Sequence, residues 1–427
     1  MELKWIAEAI PVTDGNTIFE KFDVARYIDM SENYKKLLGG EKKRFKGLDD
    51  YITKNGGPSI NPLQKNYKKL LDEIDANIEK DLYYDILPVD VYSEKDTIMD
   101  LLSSLENENY IKELYRKKKL RVTGDLKSDT SVKLMDCLRQ GRSLLQSGQM
   151  ANMLSKPLID FYAASAYAYA SIVINSPLHK SIDSLKGSHG HTYSHLKGAI
   201  EFGGKIPAGT FIDLLASVSV VQIVTPYVRF KYITIPSLEF VQTHEINISL
   251  FVLLSMVPEL HDQVSIIDSN HSIVHKLIIR SEVVNKKIAY VFEIGDGISK
   301  PNFNSLKSTF NNTDDVKDVN GKCVITILAD DIVQIMPTIY QDFRGELWYI
   351  EPPIKGLYIP EICLHFLIIS ALCNIMRYSP HEWNNILSNK LSSDFSLLIS
   401  KYLRLFELKY PMLLTQQLSN FLPLIKS

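Results

Sequence analysis

A basic excess is missing from this sequence of 427 residues, in which 48 Lys and Arg stand against 50 Asp and Glu for a formal net charge of −2. Binding nucleic acid over a whole surface needs surplus cations to release counterions, so that class is excluded and only a local patch is left. Cysteine is scarce as well. The four thiols, Cys137, Cys323, Cys363 and Cys373, have no C-x-x-C spacing, which excludes a disulfide framework and leaves reduced structural thiols. Apolar runs stay short of the roughly 20 residues of a membrane span. The longest, Ile362 to Met376, is broken by His365, Ser370 and Asn374, and Ile248 to Val257 stops at Pro258. Met1 to Ala9 has no apolar stretch of signal-peptide length. A cytoplasmic protein with no membrane segment is expected.

Phosphate loops and nucleophile elbows are also lacking. Gly295-Asp296-Gly297 has no third Gly, Gly203-Gly204-Lys205 has no upstream Gly, and Gly-x-Ser-x-Gly is absent. No Cys sits in an electropositive turn that would make a thiolate nucleophile. Nucleotide hydrolysis and nucleophilic Ser or Cys chemistry are therefore not expected.

What is present is a core-forming composition, 45% hydrophobic and 23% charged. The length exceeds the ~250–300 residues at which single cores stop growing, so more than one structural unit is expected. The predicted class is α+β, predominantly α-helical: a helical core with an inserted small β unit and an N-terminal extension. Residues 1–92 form the extension, closed by an amphipathic helix over Leu63–Ile86 with Leu70, Leu71, Ile74, Ile78 and Leu82 on one face. Residues 93–262 make the first part of the helical core, with Ser93 as an N-cap and an Ala- and Tyr-rich helix starting at Pro157. The β unit spans 263–354. Its strands are expected at Lys276–Val284 and Lys287–Phe292 around Asn285-Lys286, at Cys323–Leu328 and at Gly345–Ile350, with a polar loop over Ser299–Gly321. Residues 355–427 complete the core with helices over Ile362–Arg377 and Ser393–Lys409, the second ended by Pro411.

Several ordered motifs resemble one family. Lys156-Pro157-Leu158-Ile159-Asp160-Phe161-Tyr162, the small-residue helix, the Pro177 turn and His189-Gly190 are similar to the core signature of the YaaC-like family of bacterial proteins. Arg377-Tyr378-Ser379-Pro380, Trp383 and Lys409-Tyr410-Pro411 resemble that family's ending. Tyr167 to Ala170 stand where the family's pattern has a Lys. The resemblance covers about residues 95–427 and implies a bacterial, cytoplasmic, helical protein, with a backbone role for Gly190 and a hydrogen-bonding role for His189.

The ten histidines all follow residue 178. His191 and His195 would share a face if their segment were helical, as zinc-binding pairs do. No acidic or Cys ligand stands beside them, so a polar loop and helix cap is the preferred reading. Asp394 with Glu407-Leu408-Lys409 mimics a metal-dependent nuclease, but on a helix Glu407 and Lys409 point about 200° apart. No metal and no cofactor are expected. Arg377 and His381 resemble the Arg and His pair of HEPN ribonucleases, which implies a guanidinium holding phosphate charge while an imidazole moves a proton. Pro380 works against it, and a helix end completed by a cation is the preferred reading of Arg377. Arg116, Lys117, Lys118, Lys119 and Arg121 form the strongest basic run, with Arg139 and Arg142 as extensions, and are the expected contacts for nucleic acid or an acidic partner. The expected function is a binding or effector subunit of a multiprotein complex, or a homo-oligomer, set in anti-phage defence. The alternative is a HEPN-like metal-independent ribonuclease using Arg377 and His381.

Overall fold

The computed structural model describes residues 85–118, 128–218, 237–306, 316–328 and 339–426, apart from short interruptions within them. The expected N-terminal unit up to residue 84, the Ser93 cap, Lys119 and Arg121 lie outside the described residues. In chain order the elements begin β1 (Asp85–Asp90), α1 (Glu94–Ser104), α2 (Glu108–Lys118), α3 (Ser128–Met150) and α4 (Lys156–Asn175). Then come β2 (His191–Ser194), β3 (Ala199–Gly203), α5 (Thr210–Ser217), α6 (Ser237–Thr243), β4 (Glu245–Ser249), α7 (Leu250–Ser255) and α8 (His261–Ile267). The strands β5 (Val274–Val284), β6 (Lys287–Ile294), β7 (Lys317–Val319), β8 (Lys322–Leu328), β9 (Ile339–Gln341) and β10 (Leu347–Ile350) follow. The chain closes with α9 (Glu361–Tyr378), α10 (Pro380–Leu387), α11 (Ser393–Leu418) and β11 (Phe421–Lys426). The protein is α+β and predominantly helical, as its periodicity predicts.

Helix α4 lies at the centre because its side chains are small. Ala163, Ala164, Ala168 and Ala170 are fully buried, so α3, α5, α9 and α11 all pack against it. Gly141 of α3 shows how close the approach is: a Cβ there would stand 2.9 Å from the ring carbons of Tyr167. Helix α9 is apolar on all sides, from Ile362 through Ile375, and is buried accordingly. By length and composition alone, α4 and α9 could each cross a membrane; both are mostly buried inside the fold.

The strands at 274–350 form an antiparallel sheet ordered β7-β8-β6-β5-β10-β9, and Val284 pairs with Lys287 across the expected hairpin. Val274, Tyr340 and Ile350 join the same hydrophobic core as the helices on both sides in sequence. The sheet is thus anchored along its β5-β10-β9 side. A second, three-stranded sheet, β2-β3-β4, lies within the segment expected to be helical. Its strands hold only four or five residues each, too few for alternation to stand out in the sequence.

Two expected boundaries are corrected. The helix assigned to Leu63–Ile86 gives way at Asp85 to β1, which pairs in parallel with β11, Ile86 opposite Leu422. Pro411 does not end α11; it lies inside that helix. The missing amide and the ring's clash with the Glu407 carbonyl cost about 3 kcal/mol. Burial of Met412, Leu413, Leu414 and Leu418 beyond it, at about 1.5–3 kcal/mol each, outweighs that.

Candidate functional site

The exit of α9 carries an exposed polar surface, with Arg377, Tyr378 and His381 open to solvent. Strand β2 runs beside the second half of this helix, joined to it at both ends: His191 Nε2 lies 2.5 Å from Ser370 Oγ, and His195 Nδ1 lies 3.0 Å from Ser379 Oγ. The match is geometric. From residue 370 to 379 a helix advances about 13.5 Å, and from 191 to 195 a strand advances about 13 Å. The His191–Ser194 segment is therefore a strand and not the helix that a zinc pair would need. His191 is buried while His195 is exposed. Among the described residues no group of three or more His, Cys, Asp or Glu could hold a metal ion.

His191 is a structural member of the site. Burial pushes its pKa down to about 4, so it is neutral, and the tautomer follows from its partners. Nδ1 lies 3.0 Å from the His189 carbonyl, which can only accept; Nδ1 therefore donates, and Nε2 accepts from the Ser370 hydroxyl. The hydrogen bonds fix the backbone of His189 from one side.

Helix α5 fixes it from the other. The Thr210 amide donates to the Ser188 carbonyl at 2.8 Å and the Phe211 amide to the His189 carbonyl at 2.9 Å. Crossing at this distance needs glycine on both chains: Gly190 has φ +76 and Gly209 φ +134, and a Cβ on Gly209 would meet Gly190 Cα at 2.6 Å. The imidazole of His189 rests edge-on against Phe161, centroids 5.2 Å apart, with its outer part open to solvent. Burial, and then the positive charge of Arg377, hold His189 below the usual imidazole pKa.

Arg377 is exposed in the last turn of α9, its guanidinium 5.0 Å from the centre of the Tyr378 ring. Its charge reaches Cys373, but burial pushes that thiol up to about 11, so it is not a nucleophile. Among the described residues no carboxylate lies within ion-pair distance of Arg377. His381 is exposed in the first turn of α10, beyond Ser379, where φ −135 and ψ 59 break the helical path. Among the described residues no hydrogen bond joins it to Arg377. The imidazole that the charge of Arg377 reaches is that of His189, contributed by a distant part of the chain.

Arg116, Lys117 and Lys118 of the basic run end α2, and their side chains lie outside the described residues. Arg142 does not extend the run, because it grips Glu106 with Nε 2.5 Å from Oε1 and Nη2 3.1 Å from Oε2. Arg139 Nε lies 3.5 Å from the same carboxylate. Sequence reading missed Ser379 and Glu382, which face His195 at 3.0 and 4.0 Å; no local signal marks them.

An exposed guanidinium can hold an anionic group by a charge-assisted hydrogen bond, and an exposed imidazole can exchange a proton with such a group. No curated protein and no solved structure matches this chain. The sequence profile of the YaaC-like proteins matches residues 101–418, a span that holds every residue of this cluster, and the chain belongs to the YaaC-like family.

Proposed function

We propose that this chain is a cytoplasmic binding subunit of a multiprotein complex, which engages an acidic or phosphorylated group of its partner between Arg377 and His189. The observation that supports it most is the exposed Arg377, with no carboxylate within ion-pair distance among the described residues, whose charge reaches an imidazole with a backbone clamped on two sides. Preorganised side chains of this kind hold an anion without paying to order themselves first. Tagged protein isolated from its native host should bring down a partner that Arg377→Glu loses by about tenfold or more, since a like charge at such a contact costs several kcal/mol. Retention of every partner by the variant would remove the reading. Anti-phage defence is the setting proposed for the complex and is tested separately by phage challenge of cells with and without the gene.

The second reading is a HEPN-like metal-independent ribonuclease, with Arg377 holding phosphate charge and His189 or His381 moving the proton. Here the solvent exposure of both histidines is the supporting observation. RNA cleavage in the presence of chelator, abolished by His381→Ala or His189→Ala at unchanged melting temperature, would favour it over the binding subunit. Absence of cleavage by the full chain would discard it.

A further inference from the structure

The contact that joins the end of β2 to the end of α9 sets a serine hydroxyl against an imidazole at the protein surface. Ser379 is the N-cap residue of α10, where a serine hydroxyl ordinarily accepts from an amide of the first helical turn. Here it caps no amide. Its Oγ lies instead 3.0 Å from His195 Nδ1. A hydrogen bond that water can replace adds little to stability, so turning this hydroxyl from the helix to the histidine gives the fold no advantage. The separation is the one at which an imidazole can take the proton of an attacking hydroxyl.

The surroundings suit that chemistry. Ser379 stands in the break between two helices, with φ −135 and ψ 59. The missing Gly-x-Ser-x-Gly motif excludes the strand-to-helix elbow as a way of presenting a serine; a helix-to-helix break presents this one. The imidazole of His195 is steadied by Tyr193, whose ring meets it edge-on with centroids 5.0 Å apart, and its outer part is open to solvent. Glu382 Oε2 lies 4.0 Å from Nδ1. That is too far to compete for the hydrogen bond, and it sets a negative charge beside the ring that becomes positive when it takes a proton. Pro380 has no amide to offer, but the amides of His381 and Glu382 have no hydrogen-bond partner among the described residues. They are donors for an oxygen that turns negative on a carbon bound to Ser379 Oγ.

We propose that Ser379 and His195 are a nucleophile and general-base pair that hydrolyses esters. In the tautomer with the ring proton on Nε2, Nδ1 accepts from the hydroxyl. Ser379 Oγ attacks the ester carbonyl carbon while its proton passes to Nδ1. Collapse of the tetrahedral intermediate breaks the bond to the alcohol oxygen, and the alcohol leaves with that proton. Water then attacks the acyl-serine and gives a proton to Nδ1; return of that proton to Ser379 Oγ releases the carboxylic acid and restores the pair. The class is ester and not amide, because charge stabilisation in an open, watery site is weak and serves only the more reactive carbonyl. Neither Arg377 nor His189 takes part, so partner binding and ester hydrolysis are read in separate assays and either can fail alone.

A fluorophosphonate carrying a fluorophore, incubated with the full chain, tests the pair. A bond from Ser379 Oγ to phosphorus replaces the phosphorus–fluorine bond, and the hydroxyl proton leaves through His195 with the fluoride. Peptide mass spectrometry should place the adduct on Ser379, formed at least about 100-fold more slowly in His195→Gln and absent from heat-denatured wild type. No adduct on Ser379 of the folded wild type would overturn the proposal. Equal labelling after denaturation, a comparison that needs no variant, or in folded His195→Gln would overturn it as well. Acid-quenched reactions with p-nitrophenyl acetate should carry an acetyl group on the same serine, and acetyl groups found only on other side chains would refute the acyl step.

Discussion

Lys409→Met is expected to destabilise the protein by about 3–5 kcal/mol, the usual result of removing one partner from a buried ion pair. Lys409 Nζ lies 2.8 Å from Glu259, 3.0 Å from Glu361 and 2.5 Å from the Gln341 carbonyl. It ties α11 to the 3-10 turn Pro258–Leu260, the start of α9 and strand β9. Burial alone pushes the lysine pKa down, but the two carboxylates more than offset this and hold it above the ordinary value. Glu361, raised to about 7 chiefly by its own burial, would lose in the variant the only cation that pairs with it among the described residues. Such a carboxylate regains neutrality by taking up a proton, so the destabilisation should grow from pH 5 to pH 8. Denaturant unfolding at both pH values measures it. Lys197→Met, which breaks the exposed pair with Glu201 at 2.8 Å, is the control and should change stability by about 1 kcal/mol or less. Equal losses in the two variants would mean that Lys409 does not hold the sheet to the helices.

Why Lys409 and Lys156 escape a sequence reading explains what such a reading sees. Helices α4 and α9 are legible because their apolar runs are long, and the β5-β6 hairpin because two β-branched runs flank Asn285-Lys286. The helical spacing of Glu407 and Lys409 even predicts their divergence. Glu407 reaches Lys156 on one side of α11, and Lys409 reaches Glu259 and Glu361 on another. What the sequence conceals is that both sides are interior. Charges within the run from Tyr402 to Met412 read as a solvated face only while one face is assumed free, and α11 is enclosed on nearly all sides. Pro411 misleads for the same reason, since local propensity yields to burial. The surface site is hidden differently. Arg377 and His189 come from segments far apart in the chain, and the pairing of β2 with β3 and its alignment along α9 put the imidazole within reach of the Arg377 charge.

The clamp behind His189 makes the other large prediction. Gly209→Ala places a side chain at φ +134, a region that L residues rarely occupy, and brings its Cβ to 2.6 Å from Gly190 Cα and 2.7 Å from Ser188 Oγ. Backbone strain of about 1–3 kcal/mol and overpacking of about 1–3 kcal/mol add to an expected loss of about 2–6 kcal/mol. Gly198→Ala separates the two contributions. That residue has φ +59 with nothing within 4 Å of the added carbon, so only the left-handed backbone term of about 1–2 kcal/mol applies. The two variants should also differ in function. The overlap at Gly209 is relieved by moving the Ser188-His189-Gly190 segment off α5, which displaces the His189 imidazole; Gly198 lies in the β2-β3 turn, beyond His195. Partner binding should therefore fail in Gly209→Ala under conditions where it is still folded, and persist in Gly198→Ala. Matching losses of stability, or full binding by folded Gly209→Ala, would mean that His189 is not held in place by the crossing of these two glycines.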